Sequence, residues 1–549
     1  MKKNIFVAMS SILVLGAALA GCGGNSAQPA DSGQKPSDNN QQAAAPEKSG
    51  PKVLKLNLHS EPPTADPGIS EDTTSAAIIR ATFDGLTRVG ADGQPHESVA
   101  QKIETSEDGL TYTFHLRDSK WSNGDEVTAK DFEYAWKRAL DPATASNYAY
   151  QLYYVKNGEA FNKGKAGKDD VGVKALDDKT LEVKLENPTP FFLELTAFPT
   201  YFPVNQKVVE ADAKWATEAK THVGNGPYKM ESWEHKSKLV VVKNDNYWDK
   251  DTVKLDKIEF AMVEDENTEL SMFDNGEIDW AGSPTSALPT DAIPALKESG
   301  KMKSQPIAGT YWYKFNTEKA PFNNAKIRKA FAYSIDRQSL IDNILQTGQI
   351  PAMGALPMSM AINKDGYFKD HDIETAKQLL EEGLKEQGLS KLPAITLSYN
   401  TSEGHKKIAE AIQDQWKKNL GVDVKLENKE WKVYLEDLHQ GNYQVGRMGW
   451  LGDFNDPINF LELYRDKDGG NNDTRWENPK YKELLIKSAT IQNHDERMKV
   501  LGDAEAILMD EMPIMPIYFY TQSWVQKDNV KGVVISGLGD VDWKWATVE

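Results

Sequence analysis

The chain has 549 residues, and its 64 Lys and Arg against 82 Asp and Glu leave a formal charge of −18. That balance excludes a nucleic-acid binder, which needs a clustered positive surface for phosphate contacts, and it disfavours broad docking on anionic lipid. The length allows about three or four domains, and the single cysteine excludes an intrachain disulfide and a thiolate metal cage, so burial and hydrogen bonds must hold the fold.

The N-terminus carries Lys2 and Lys3, an apolar run from Ile5 to Leu19, and Leu19-Ala20-Gly21-Cys22. This resembles the lipobox of bacterial lipoproteins, which implies that residues 1–21 are a cleaved signal and that Cys22 becomes the lipidated (diacylglyceryl, N-acyl) N-terminus of the mature protein. The alternatives are an ordinary secretory signal with an incidental cysteine, or a membrane span, for which Ile5 to Ala20 is short. Residues 22–51 follow as Gly, Asn, Ser, Gln, Pro and Ala with almost no large apolar side chain. Such a composition cannot offset ordering entropy and reads as a flexible stalk. No later stretch is long and apolar enough to cross a bilayer, so an exported, tethered body is expected.

Beyond the stalk, strand and helix signals alternate, which indicates an α/β architecture. Leu110 to Leu116 and Thr180 to Leu185 alternate as strands after Asp-containing turns. Thr128 to Leu140 reads as a helix with Thr128 as N-cap and Asp131 three residues on. Lys326 to Leu345 reads as one longer helical region. The clearest stretch is Leu392 to Trp450. A strand at Ile395–Tyr399 is followed by Ile408, Ile412, Trp416 and Leu420 on one helical face, with Gly421 as the stop. Val422 to Leu426 is a second strand, Lys432 to His439 a short helix, and Tyr443 to Trp450 a third strand. Such a βαβαβ unit places its ligand edge at the carboxyl ends of its strands, where Arg447 to Pro457 leave the third strand. No fixed-period repeat is visible.

Catalytic signatures are missing. There is no phosphate-binding Gly-x-x-x-x-Gly-Lys-[Ser/Thr] loop, no Gly-x-Ser-x-Gly elbow and no His-Glu-x-x-His helix. Gly224-Asn225-Gly226 lacks the third glycine of a dinucleotide fingerprint, and the nine histidines are scattered without zinc-helix spacing. A hydrolase built from distant carboxylates remains the alternative from another class.

Several strings resemble the extracellular solute-binding proteins (family 5) of peptide ABC importers, in particular their oligopeptide-binding branch. They are Phe83 to Leu86, Thr111 to Arg117, Lys120 to Phe132, Asn275 to Asp279, Ala320 to Asn324, Tyr333 to Arg337 and His405 to Pro457, in the family's order. The resemblance implies an α/β, periplasmic-binding-protein-like two-lobed clamp (class II, cluster C) with an extra third domain. The base lobe would comprise 52–82, 206–308 and 521–549, the extra domain 83–205, and the second lobe 309–520. It also implies a receptor, not an enzyme, that binds peptides of about three to five residues and hands them to a membrane ABC permease. Neither cofactor, metal nor nucleic acid is implied, and a monomer is expected. Dipeptide, signalling-peptide, murein-peptide or metal-chelate receptors of the same family are the alternatives.

Carried over residue by residue, the resemblance puts Asp453 at the peptide α-ammonium, and Arg447 and His405 at its carboxylate. Ser70, Glu71, Asp72 and Thr73 on one side, and Gly449, Trp450 and Leu451 on the other, would pair with the peptide backbone. Trp431, Trp450, Tyr148, Phe273, Trp312 and Phe519 would wall the side-chain pockets, with core packing as the alternative for each. Leu345 stands where enteric relatives have a Lys, which implies weak dipeptide binding. Lys314 and Leu438 replace a Glu and an Arg, and Gly309 and Leu451 a disulfide pair.

Overall fold

A computed structural model describes residues 50–549. The signal, Cys22 and nearly all of the stalk lie outside the described residues. Three sheets organise the rest. In the first, the strands run in the order Val53–Asn57, Lys257–Ala261, Lys238–Lys243 and Tyr228–Glu234. The first pair is parallel, and Leu54, Leu56, Ile258 and Phe260 alternate into the core with no more than 1% of their surface exposed, the period of two that a half-buried strand requires. A second, antiparallel sheet orders Ala100–Thr105, Thr111–Leu116, Thr180–Lys184 and Val173–Ala175. Helix Ala129–Leu140 packs on it. The N–H of its cap Thr128 donates to the Asp131 carboxylate at 2.8 Å, the reciprocal half of a capping box.

The third sheet has seven strands and contains the βαβαβ unit. Ile395–Asn400 lies parallel between Val424–Lys429 and Val445–Leu451. Helix Glu403–Leu420 connects the first two and buries Ile408, Ile412 and Trp416. Gly421 ends it in the left-handed region at φ 70°, a conformation costly for a residue with a Cβ. The Trp416 indole donates to the Phe331 carbonyl at 3.0 Å, so the helix is anchored by burial, about 1.5–3 kcal/mol for each large side chain, and by a satisfied polar atom. The expected single helix at 326–345 is three pieces: Ala325–Tyr333, Arg337–Leu340 and a wider turn at Ile341–Leu345. The break arises because the Asp336 side chain accepts from the Ser339 N–H and caps a new helix, while Arg337 is fully buried and donates to Pro516 O and Asp370.

Two 13-residue strands, Lys303–Phe315 and Ile514–Gln526, pair through the middle of this sheet. One end of the second strand pairs with Trp280–Gly282, and the other half of the first pairs with Val445–Leu451. Both strands therefore run unbroken through positions 308/309 and 520/521. Their register shifts between Pro306 and Thr310, a bulge that bends the ribbon locally. Gly309 and Leu451 are cross-strand partners, and a Cβ on Gly309 would come within 2.6 Å of the Leu451 side chain.

Candidate functional site

A cavity of about 380 Å³ opens where the sheets meet, within the usual range for a ligand pocket. Its walls are the loop before helix Thr73–Thr82, the turn before helix Glu403–Leu420, the end of strand Val445–Leu451, and strand Ile514–Gln526 beyond Tyr518. Ser70, Glu71, Asp72, Thr73, Tyr148, His405, Trp431, Arg447, Gly449, Trp450, Leu451 and Asp453 all line it, as does Leu345.

Three expected wall residues do not. Phe273 packs with Ile278, Leu288 and Ile293 in a separate cluster. Trp312 is fully buried, edge-on to Phe460 at 6.5 Å and Tyr464 at 6.3 Å. Phe519 is buried between its strand partners Thr310 and Ile350. The reason is strand periodicity: successive side chains face opposite sides of the sheet, so Phe519 points away while Tyr518 and Tyr520 line the cavity.

The strand Val445–Leu451 carries the central geometry. On one edge it pairs with Lys303–Phe315 along its whole length. On the other it pairs with Ile395–Asn400 only at Val445 and Gly446, and the Arg447 carbonyl accepts from Tyr434 OH at 2.6 Å, so among the described residues Met448 to Leu451 have no strand partner on the edge against the cavity. Arg447 lies just before that edge and Asp453 just past its end.

The Arg447 guanidinium is buried with 9% exposure and donates to Tyr520 OH at 2.8 Å and Asn400 Oδ1 at 3.3 Å. It lies 4.7 Å over the Tyr311 ring. Its Nε is buried with no partner, and no carboxylate among the described residues pairs with it. A buried cation held only by neutral groups is costly unless an anion arrives. Gly449 makes room for this arrangement, because a Cβ there would collide with the Tyr520 hydroxyl. His405 stands beside it, with Nδ1 3.4 Å from Tyr311 OH. Burial, then the Arg447 charge and His59, hold the His405 imidazole well below its ordinary range, so at neutral pH it is a neutral hydrogen-bonding group.

Asp453 is the mirror image. Its carboxylate accepts from Gln151 at 2.8 Å, Asn459 at 3.1 Å and Tyr148 OH at 3.5 Å, all neutral donors. Burial pushes its carboxyl up to about 8, against the opposing hydrogen bond from Asn459. Asn459 also accepts from the Asp453 N–H at 2.9 Å and the Trp450 indole at 3.1 Å, and Trp450 stacks on Tyr148 at 5.8 Å. Sequence reasoning missed Gln151, Asn459, Tyr520 and Asn400. Only the i, i+6 spacing of Asn459 from Asp453 was local enough to be read.

Several contacts cross the cavity. Ser402 Oγ donates to Glu266 at 2.6 Å, and burial pushes that carboxyl up to about 7. The Trp431 indole donates to Asp72 at 3.4 Å, His439 lies 2.9 Å from Glu71, and Lys407 pairs with Asp291 at 2.6 Å.

Residues 94–472 match the family described as bacterial extracellular solute-binding proteins, family 5. The chain belongs to that family. It is 58% identical to the oligopeptide-binding protein OppA of Bacillus subtilis over 90% of this chain and 92% of the relative. The Haemophilus influenzae OppA, solved in complex with RPPGFSPFR, superposes with a TM-score of 0.86 at 32% identity, covering 91% of this chain and 99% of that one. The Escherichia coli murein tripeptide binding protein MppA gives 0.86 at 35% identity, covering 91% and 99%. MppA in its unliganded open form gives only 0.61 at 35% identity, covering 91% and 98%. The chain is thus an α/β two-lobed clamp with an extra domain, and its lobes are set differently from those of an open form, in keeping with the contacts that cross the cavity.

Proposed function

We propose that this protein is an extracytoplasmic oligopeptide receptor that closes around peptides of about three to five residues, with little demand on their sequence, and delivers them to a membrane ABC importer. The observation that carries the reading is the unpartnered strand edge from Met448 to Leu451, bounded by a buried cation at Arg447 and a buried acid at Asp453, each held by neutral groups only. An extended zwitterion satisfies all three: its backbone adds as a strand, its carboxylate meets Arg447 and the neutral His405, and its ammonium meets Asp453. Main-chain bonds carry affinity whatever the side chains are, and the rings of Trp431, Trp450 and Tyr148 offer adaptable walls.

Ser70 to Thr73 would supply the opposite strand of the sandwich. Ligand contacts on both lobes stabilise the closed state selectively, so closure is a population shift, with the ribbon of Lys303–Phe315 and Ile514–Gln526 as the hinge. In this reading the base lobe is 52–82, 206–308 and 521–549, the extra domain 83–205, and the second lobe 309–520. Cys22 is the lipid anchor on the outer face of the cell membrane, the long polar stalk favours a surface without an outer membrane, and the receptor acts as a monomer with no catalytic step. Calorimetric titration of the refolded mature protein with a tetrapeptide and its N-acetylated twin tests this. Tight binding that acetylation abolishes is expected; equal binding of both removes Asp453 from its role, and binding of neither overturns the peptide reading.

A further inference from the structure

A second cavity, of about 340 Å³, lies at one end of the two long strands and shares no lining residue with the first. Its floor is the Trp280 and Trp524 indoles, stacked at 5.4 Å with 5° between their planes. Strand pairing sets Lys303 opposite Trp524 and Gln526 opposite Trp280, so all four side chains share one face of the sheet. The far wall is residues 530–533 and Ile535, where the chain forms two short antiparallel ribbons outside that sheet. Hydrogen bonds hold this frame together. Gln526 accepts from the Trp524 indole at 2.9 Å and donates to Val530 O at 2.9 Å, Gln305 Nε2 donates to Ser536 O at 3.4 Å, and the Trp280 indole donates to Ser283 O at 2.7 Å. The cations of the cavity lack such partners. Lys303 and Lys531 both line it and no Asp or Glu does. Among the described residues neither ammonium forms a salt bridge, although Lys527 nearby pairs with Asp279 at 2.8 Å. Two like charges brought to one space by separate elements repel each other, and an anion between them replaces that repulsion by attraction. In a chain of net charge −18 such a pair is a local exception.

We propose that this second cavity binds a small phosphate monoester, with the phosphoryl group between Lys303 and Lys531 and a sugar-sized body over the indoles. A phosphate monoester carries a charge of about −1.5 to −2 near pH 7, which matches two ammoniums, whereas a carboxylate matches one. Lysine meets phosphate as a point charge and needs no bidentate geometry, so two long side chains from separate elements suffice. The volume is that of a small-molecule pocket, which leaves room for a body besides the phosphate, and the indoles give that body an apolar floor.

The test is calorimetric titration of the mature protein with glucose 6-phosphate and with glucose. Glucose 6-phosphate is expected to bind saturably in the millimolar range or below, and glucose not at all. Lys303→Ala and Lys531→Ala are each expected to weaken the phosphate ester by about tenfold, the scale of one charge-assisted hydrogen bond, and the double variant to abolish its binding. Both lysines are exposed, so these variants keep the fold. A saturating tetrapeptide is expected to leave the affinity for glucose 6-phosphate unchanged. No saturable binding of glucose 6-phosphate, equal binding of glucose, binding that survives in the double variant, or displacement by the tetrapeptide overturns the inference, and the last of these places the phosphate at Arg447 instead.

Discussion

Replacing Asp453 by Asn keeps the shape of the side chain and its contacts with Gln151 and Asn459 while removing the charge. With peptide bound, the variant leaves a buried ammonium without its carboxylate partner. Breaking one side of a buried pair costs about 3–5 kcal/mol, which at 1.4 kcal/mol per decade is a loss of about one hundred- to four thousand-fold in affinity. The N-acetylated twin has no ammonium and behaves differently. When the unaltered protein closes on it, the Asp453 carboxyl sits in an environment that pushes it up to about 8, so closure takes up a proton near neutral pH. The Asn variant has no such proton to take up and binds the acetylated peptide at least as well as the unaltered protein does. Calorimetry in two buffers of different ionisation enthalpy reads both effects. Equal weakening of the free and acetylated peptides by Asp453→Asn, or no weakening of either, would refute the ammonium-reading role.

Four further outcomes are expected. Ligand-free protein closes in acid: Asp453 rises from 3.8 to about 8 and Glu266 from 4.5 to about 7 in the closed arrangement, so they favour closure below the ordinary carboxylate range and oppose it as pH rises through those values. Small-angle scattering that shows no contraction between neutral and acid pH contradicts this. Gly449→Ala displaces Tyr520 and so loosens Arg447, weakening peptides with a free carboxylate by about tenfold while C-terminally amidated peptides change less. Leu345→Lys, at the cavity wall, raises dipeptide affinity relative to tripeptide affinity in competition titrations; an unaltered protein that already binds dipeptides as tightly as tripeptides defeats the argument. Trp312→Ala, fully buried against Phe460 and Tyr464, costs about 3–5 kcal/mol of stability and lowers the melting temperature without changing the relative affinities of Lys- and Leu-containing tetrapeptides. A change in those relative affinities would return Trp312 to the pocket.

The local architecture could be read from residues 392–450 alone. Apolar periodicity, Gly421 as a stop and short turns are properties of neighbours in sequence, and the observed helix Glu403–Leu420 and its flanking strands follow them. The break inside 326–345 was less legible, because its cause, Arg337 buried against Pro516 and Asp370, lies far away in the chain. The site divides in the same way. Arg447, Gly449 and Asp453 sit on one strand and its exit, so a motif over a few residues marks them. Phe519 was misplaced by one residue: an aromatic run such as Tyr518-Phe519-Tyr520 does not say which face is inward, and only pairing with Lys303–Phe315 sets that register.

The sequence by itself determined the strands and helices whose pattern is local, as in residues 392–450, and which residues bear opposite charges at the two ends of one strand. Only the tertiary structure decided that among the described residues those charges are held by neutral partners, that the strand keeps an unpartnered edge, and that His439 lies between Glu71 and Asp473. Such facts depend on groups separated by tens to hundreds of residues coming within hydrogen-bond distance or failing to do so, and burial then converts each pairing or vacancy into a large electrostatic free energy.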